Sequence, residues 1–220
     1  MKNICFTLAM VSILSFTVIS CKDKVKEATT TEAEAPASTD STTNSETYLA
    51  NTETSTIEWK GSKPTGSHNG TIAIESGSLE ISEDNIIGGT FNIDMTSITV
   101  KDIPAEDEKN GKLLGHLNSP DFFDSENHPM ATFTVTGTEN SDGKTMLSGN
   151  LAIKGIENNI TFQVTLSKNK ENVILSSETF SIDRSKWDIR YGSKSFFDNL
   201  GDKFINDDIE LKILVNTSKS

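Results

Sequence analysis

Apolar and polar residues alternate along most of the larger, C-terminal part of the chain. In residues 160–166 every second position is apolar, and a threonine or glutamine stands between each pair. The same period of two recurs at residues 91–95, 132–136 and 209–215, with Leu214 the one exception. A period of two places one set of side chains on each face of a β-strand. The pattern therefore predicts half-buried strands of the kind that antiparallel sheets contain.

Turn-forming residues separate these runs. These separating segments are rich in glycine, asparagine, aspartate and lysine, as hairpin connections are, and they lie at Gly88–Gly89, 141–143 and 168–172. Seven to nine strands follow, and a barrel or a sandwich is the usual way to bury their edges. Only residues 113–123 are predicted to be helical, with Pro120 breaking the helix. The period alone does not distinguish a packed sandwich from a hollow barrel.

The N-terminus has the features of a secretory signal. Lys2 precedes the uncharged residues 4–19, which are too few for a comfortable membrane span of about 20 residues. The stretch ends in Val-Ile-Ser-Cys at residues 18–21, which resembles the lipobox of bacterial lipoproteins. We therefore expect residues 1–20 to be a lipoprotein signal peptide and Cys21 to be the acylated N-terminus. Two or more acyl chains on one residue give stable membrane attachment.

Composition changes sharply after this segment. Residues 21–50 are rich in Thr, Ser, Ala and Glu, and Tyr48 is their only aromatic residue. Such a composition buries too little apolar area to offset its ordering entropy, so a disordered tether is predicted. Residues 51–216 then form a single domain. Cys5 leaves with the signal and Cys21 is acylated, so no thiol remains for a disulfide.

The charge of the chain argues against nucleic acid as a partner. The formal net charge is −12, and removal of Lys2 with the signal leaves 19 basic and 32 acidic residues, or −13. Phosphate backbones are bound by basic patches, and the sequence offers none. An acidic, well-solvated surface is sufficient to explain these charges.

Four segments in the expected order resemble the YceI-like, polyisoprenoid-binding family. They are His116–Asp124, which reads HLNSPDFFD; His128–Phe133; Gly149–Ile156, which reads GNLAIKGI; and Phe180–Ile189. Ala152 stands where the family more often has threonine. The chain is identified by these motifs as a member of that family over nearly the whole of the predicted domain.

The resemblance implies an all-β, extended antiparallel barrel of about eight strands, lipocalin-like and hollow, with one short helical segment. It also implies that a polyisoprenoid, quinone or similar long-chain lipid lies inside. A barrel of about eight strands can hold one such ligand. Each buried methylene contributes about 0.8 kcal/mol, whereas association costs an estimated 4–15 kcal/mol, so a long chain is favoured over a short one.

Alternation assigns candidate ligand-binding residues to the inward face of the strands. They are Phe91, Ile93, Met95, Phe133, Val135, Phe162, Val164, Phe180, Ile182 and Arg184.

The chain has only two arginines, and they differ in phase. Arg184 shares the phase of Phe180 and Ile182 and should face inward if that strand runs straight, whereas Arg190 should face water. An inward guanidinium near a barrel mouth could bind a phosphate or a quinone oxygen. It could equally form an internal ion pair with a carboxylate, because buried arginine is usually paired.

No metal, cofactor or catalytic site is predicted. His116 and His128 lie near two aspartates, but they lack the i, i+4 spacing of helical ligands, and prolines interrupt any shared face. The sequence contains no G-x-S-x-G motif and no cysteine nucleophile in the domain. The expected function is therefore an envelope lipoprotein that binds or carries a lipid and is not an enzyme. An envelope enzyme or redox partner acting on such a lipid is the alternative, and a structural or adhesion module is a third.

Overall fold

The computed structural model describes residues 25–37, 44–141 and 143–220. Its regular structure is dominated by one twelve-stranded sheet, with α1 (Glu108–Asn118) as the α-helix of the described part. The strands are β1 (Lys26–Glu27), β2 (Thr29–Glu32), β3 (Glu46–Ala50), β4 (Thr56–Lys63), β5 (Gly66–Ser82), β6 (Asn85–Asp94), β7 (Met130–Ser141), β8 (Lys144–Ile153), β9 (Ile156–Lys168), β10 (Asn172–Ser177), β11 (Phe180–Asp183) and β12 (Asp208–Lys219). Short 3₁₀ helices occupy Met95–Ser97, Arg184–Trp187 and Gly201–Lys203.

The sheet closes into a ring. Each strand from β4 to β9 pairs with the next one along the chain, β10 pairs with β12, and β12 returns to β4. All of these pairs are antiparallel. The ring of eight strands confirms the predicted antiparallel barrel with one short helix. Nine strands, β4 to β12, lie in the predicted domain, within the expected seven to nine.

The two rims of the barrel differ. The helix end carries α1, the short β4–β5 and β8–β9 turns and the long connection from Arg184 to Asp207. The hairpin end carries the β5–β6, β7–β8 and β9–β10 turns. Because all the long insertions lie at the helix end, this is the rim where a site can be elaborated.

The predicted alternation determines which side chains face the interior. On β9, Ile160, Phe162 and Val164 are buried, whereas Thr161 and Gln163 between them are partly exposed. Leu214 on β12, the exception in the pattern, is indeed exposed on the outer face. The inward residues of β3 to β12 join one continuous apolar core. Burial of these side chains drives closure of the barrel.

The helix differs from the prediction in its limits. It begins at Glu108, where the Asp107 side chain caps it by accepting the backbone N–H of Lys109, and it ends at Asn118. The predicted start at residue 113 was too late because the polar first turn carries no apolar signal. Asn110 anchors that turn from within, since its side-chain amide donates to the carbonyls of Val100 and Ile103.

The prediction of a disordered tether is wrong for the described residues of the segment. β1 pairs with β11 in parallel, and β2 pairs with β9 in antiparallel orientation. β3 pairs with both β5 and β12, and its Tyr48 is fully buried. The physical reason is that these strands satisfy the open backbone edges of longer neighbours. Such stabilisation needs main-chain hydrogen bonds rather than a large apolar content. Residues 38–43 lie outside the described part.

The predicted signal peptide and Cys21 also lie outside the described residues. Among residues 25–37, 44–141 and 143–220, no helix is long and apolar enough to cross a membrane.

Candidate functional site

A cavity of about 100 Å³ lies inside the barrel toward the helix end. Its lining is apolar except for Arg184 and Asn206. The lining residues come from most strands, from α1 and from the long connection, and they include Ile57, Trp59, Ile72, Ile93, Met95, Ile98, Leu117, Phe122, Phe123, Ala131, Leu151, Ile153, Ile182, Trp187, Ile189, Ile205, Ile209 and Leu211. A dry apolar space of this kind favours hydrocarbon over water.

Two tryptophans form opposite parts of the wall, and each has its polar atom satisfied elsewhere. The indole N–H of Trp59 donates to the Thr99 carbonyl at 3.1 Å, and that of Trp187 donates to the Leu151 carbonyl at 2.9 Å. Gly70 makes the first contact possible, because a Cβ there would lie 1.7 Å from the Thr99 oxygen. The rings therefore present apolar surface to the cavity at no hydrogen-bonding cost.

Aromatic rings pack between the cavity and the hairpin end, outside the cavity lining. Phe162 and Phe180 stack with their centroids 4.3 Å apart, and Phe133 lies 5.8 Å from Phe162. Phe133 fits because Gly149 faces it: a Cβ at that glycine would lie 2.2 Å from the ring. Beyond these rings the hairpin half of the barrel contains further buried side chains. A separate cavity of about 450 Å³ lies at the hairpin end, and it is lined by Ile81, Asp84, Leu166, Lys168, Asn169, Lys170 and Val173.

The predicted ligand residues divide between these two regions. Ile93, Met95, Ile182 and Arg184 line the cavity. The other six are buried but pack outside the cavity lining: Phe91, Phe133, Val135, Phe162, Val164 and Phe180.

Sequence reasoning missed much of the wall. The sequence did not predict ligand contacts for the two tryptophans, Trp59 and Trp187. It also did not predict them for the apolar residues of α1 or of the long connection. A usable signal existed for Trp59, which shares the inward phase of Ile57 on β4. The contribution of Ile205 could not be seen, because it follows an irregular segment with no period.

Arg184 is fully buried and its partners lie within the protein. The strand ends at Asp183, so Arg184 starts a 3₁₀ helix instead of continuing inward along β11. Its guanidinium donates to the carbonyls of Ile189 at 2.7 Å, Ile205 at 3.2 Å and Asn206 at 3.2 Å. These bonds tie both ends of the long connection to the barrel rim.

A carboxylate completes this environment. Asp207 Oδ1 lies 3.2 Å from Arg184 Nη2, in ion-pair contact without hydrogen-bond alignment. Burial lowers the pKa of Arg184, while Asp207 and Asp183 act in the opposite direction. The Phe122 ring lies 5.3 Å from the guanidinium carbon. These contacts favour the internal ion pair over the head-group role for Arg184. Arg190, by contrast, is exposed and pairs with Asp188 at 2.6 Å.

A second, more polar cavity of about 290 Å³ lies outside the first, and we call it the vestibule. It is bounded by the β4–β5 hairpin, α1 and the long connection, and its rim carries Lys63, His68, His116, Tyr191 and Lys203. Both cavities share a boundary of Trp59, Gly61, Leu117, Phe122 and Ile205. The first cavity, which we call the chamber, is thus apolar and adjoins the more polar vestibule.

Two histidines of the vestibule have different surroundings. His68 Nδ1 contacts Asp102 Oδ2 at 2.8 Å. Burial of Asp102 opposes its ionisation, but the Asn69 backbone N–H and His68 outweigh it and lower the pKa of Asp102. His116 packs edge-on against Tyr191 and Phe122, and its Nε2 atom is buried without a hydrogen-bond partner among the described residues. The His116 residue itself lines the vestibule.

The described residues contain no group of three or more His, Cys, Asp or Glu side chains arranged to hold a metal ion. His128 and Asp124 approach each other only to 4.0 Å, at the edge of ion-pair range.

Comparison with known proteins agrees with the fold. The crystal structure of BcnA from Burkholderia cenocepacia and the structure of a polyisoprenoid binding domain from Saccharophagus degradans both superpose on the barrel. BcnA is 18% identical, with a TM-score of 0.55 over 76% of this chain and 98% of its own. The second domain is 16% identical, with a TM-score of 0.54 over 79% of this chain and 98% of its own.

A search of curated protein sequences gave no match. A family model provides the assignment instead. The model of the YceI-like domain matches residues 48–217, which include β4 to β11 and nearly all of β12. The match covers more than half of the chain, and its limits agree with the barrel seen in the structure. The chain therefore belongs to the YceI-like family.

Proposed function

We propose that this protein binds a long-chain apolar lipid, such as a polyisoprenoid or a quinone, and that it carries out no reaction on it. The observation that supports this most directly is the apolar chamber at the helix end, which adjoins a more polar vestibule and shares five lining residues with it. An amphiphile with one apolar tail and one polar head matches that arrangement. A structural neighbour, the domain from Saccharophagus degradans, is described as polyisoprenoid binding.

The chamber accommodates only part of such a tail. Apolar cavities of about 150 Å³ hold a molecule the size of benzene, so a chamber of about 100 Å³ holds roughly one isoprene unit. A five-carbon unit contributes about 4 kcal/mol, which alone barely offsets the cost of association. A tightly bound tail must therefore displace interior side chains or extend beyond the chamber.

The vestibule is suited to the polar head. Lys63 and Lys203 place positive charge on its rim, although the chain as a whole is acidic at −12. His116, whose buried Nε2 has no hydrogen-bond partner among the described residues, adds an imidazole to the lining of the vestibule. We propose that an anionic or carbonyl head group contacts these residues rather than Arg184, whose donors are engaged with backbone carbonyls.

We further propose that the protein works in the cell envelope, attached to a membrane through acylated Cys21. The Val-Ile-Ser-Cys sequence at residues 18–21 supports this placement. A carrier held at a membrane would exchange its lipid with the bilayer beside it.

A change that fills the chamber tests the proposal. Ala131 on β7 is buried and lines the cavity, so Ala131→Leu inserts three carbon atoms into empty space. We expect native mass spectra of protein purified from envelopes to show a bound lipid in the wild type and a severalfold lower occupancy in the variant. The melting temperature should not fall, because the added atoms fill a void.

Val135→Leu is the matched control. Val135 is buried on the same strand but lies outside the chamber lining. This variant should lose about 1–3 kcal/mol of stability through overpacking and keep its lipid. A wild type that yields only the unliganded mass, and that binds no added polyprenyl phosphate, quinone or fatty acid, would overturn the proposal.

A further inference from the structure

The wall of the barrel has a seam between β9 and β11. The last pair that joins β10 to β9 is Ser177 with Val164, and β11 begins three residues later at Phe180 without pairing with β9. From that level to the helix end, the space between the two strands is filled by residues 26–32. These residues pair with β11 through β1 and with β9 through β2.

The chain then crosses the outside of the barrel. The backbone of Glu34 exchanges two hydrogen bonds with the Asn150 side chain, at 3.0 and 2.7 Å, and the Ala37 N–H donates to the Val135 carbonyl at 3.1 Å. Asn150 and its partner Asn159 face outward, yet both are almost completely buried. We call residues 25–37 the strap.

The strap is a weak part of the wall. Its inward side chains at the seam are only Ala28 and Thr30, and the buried Thr30 hydroxyl has no hydrogen-bond partner among the described residues. Most other inward positions carry Ile, Leu, Val or an aromatic residue, with Ala131 on β7 an exception. Because the strap buries so little apolar area, it is held mainly by backbone hydrogen bonds, each of which contributes only about 0.5–1.5 kcal/mol. Segments of this kind open at low free energy.

Behind the strap lie two stacked aromatic rings, which pack next to the chamber but outside its lining. Phe162 comes from β9 and Phe180 from β11, so their stack joins the two strands that the strap separates. A cleft of about 220 Å³ runs along the strap and reaches both rings, with Met146 on its outer side. Displacement of the strap would therefore open the wall onto these two rings, of which Phe180 lies two residues along β11 from Ile182 of the chamber lining.

We propose that the strap is a displaceable strand of the barrel wall, and that the tail of a membrane lipid enters and leaves through the seam between β9 and β11. This inference rests on the proposed lipid-binding function. Every isoprene unit drawn through water costs about 4 kcal/mol, so a sideways route from bilayer to barrel avoids most of that cost. The same opening supplies the space that a long tail needs beyond the chamber.

The position of the strap in the chain favours the membrane as the source of the lipid. Val25 follows Cys21 by four residues, which span at most about 15 Å when fully extended. With Cys21 acylated as proposed, the seam lies at the membrane-proximal side of the barrel.

A reversible crosslink tests whether the seam is a portal, meaning the route by which the lipid tail enters and leaves the barrel. Thr29 and Thr161 are directly opposed across β2 and β9 and point outward, so Thr29→Cys with Thr161→Cys can form a disulfide that locks the strap. The full-length acylated protein, carrying its co-purified lipid, is mixed with acceptor vesicles of phosphatidylethanolamine and phosphatidylglycerol. Native mass spectra then follow loss of the lipid. We expect oxidation to slow release at least tenfold and reduction to restore it.

The matched control locks a different seam. Thr132 and Ala152 are opposed on the outer face of β7 and β8, so the same pair of substitutions there crosslinks strands that the lipid would not pass between. That crosslink should leave the release rate unchanged. Equal rates for the oxidised and reduced strap crosslink would overturn the portal alone. A wild type without any bound lipid would overturn the proposed function and the portal with it.

A variant that weakens the attachment of the strap tests the converse expectation, which is faster release of the lipid. Glu34→Pro removes the N–H that donates to Asn150, whereas Ala35→Pro beside it keeps that donor. We expect severalfold faster release from the first variant and wild-type release from the second. Unchanged release in the first, with wild-type melting temperature retained, would contradict a strap that limits exchange.

Discussion

The residue that best shows how local partners decide a role is Arg184. Its phase along the strand pointed into the barrel, where a guanidinium could bind a lipid head. The structure surrounds it instead with three backbone carbonyls and Asp207. Removing one partner from a buried charged group is more damaging than losing an exposed ion pair, because the remaining groups stay desolvated.

Arg184→Gln is therefore expected to destabilise the fold by about 3–5 kcal/mol, as breakage of buried ion pairs does. Arg190→Gln removes an exposed pair and should cost less than about 1 kcal/mol. Chemical denaturation of both variants measures the difference. Loss of lipid from Arg184→Gln at unchanged stability would contradict the structural role and support head-group contact.

Glu46 links β3 to the end of β12. Its carboxylate accepts hydrogen bonds from Lys219 at 2.6 Å and from the buried Tyr48 hydroxyl at 2.8 Å. Lys219, Tyr48 and Lys168 together lower the pKa of Glu46 from 4.5 to about 2. The unfolded chain thus binds a proton between these two pH values that the folded protein does not, so stability falls as the pH drops through that window.

The pH dependence of Glu46→Gln tests this linkage. The melting temperature of the variant should lie below that of the wild type above pH 4.5, and the two should converge as the pH approaches 2. Lys219→Met removes the main partner and should weaken the same dependence. A constant difference between wild type and Glu46→Gln across this range would show that the ionised carboxylate does not stabilise the fold.

At the scale of elements, the strands could be predicted because each has one face in the core and one in water. The same logic failed for residues 26–32, which read Lys-Glu-Ala-Thr-Thr-Thr-Glu and carry no apolar alternation. Their order comes from backbone pairing to edges that only the folded barrel presents. The amino-acid composition of a segment does not predict such long-range pairing. The inward face of the strands was likewise predictable, but the extent of the chamber was not, because it depends on residues such as Leu117, Trp187 and Ile205 that lie outside the barrel strands.

Replacing residues 26–32 with a Gly-Ser sequence of equal length tests the structural role of the strap. The replacement removes Ala28 and the strand-favouring threonines while keeping the chain length. We expect the melting temperature to fall by about 4–10 °C, since each lost kcal/mol lowers it by roughly 2–4 °C at this chain size. Thr31→Ser, a change to an exposed outer position, is the control. An unchanged melting temperature would restore the view of this segment as a tether.

At the scale of the whole molecule, the structure divides a single barrel into parts with different tasks. The hairpin half contributes many of the buried core side chains, while the helix end carries the apolar chamber and the vestibule. The strap joins the barrel wall to the N-terminal segment that we propose to be anchored in the membrane. Stability and binding are therefore separable, because changes near the vestibule leave the hairpin half intact.

The proposed membrane anchor can be tested independently of stability and of lipid binding. Cys21→Ala removes the only thiol that remains after cleavage of residues 1–20, so we expect fatty-acid labelling to disappear and the protein to leave the membrane fraction. The released protein should retain the melting temperature of its barrel, because Cys21 precedes the first described strand by five residues. Cys5→Ala, which alters only the signal, should behave as wild type. Labelling that persists in Cys21→Ala would show that the lipobox assignment is wrong, and it would also remove the reason for placing the seam beside the membrane.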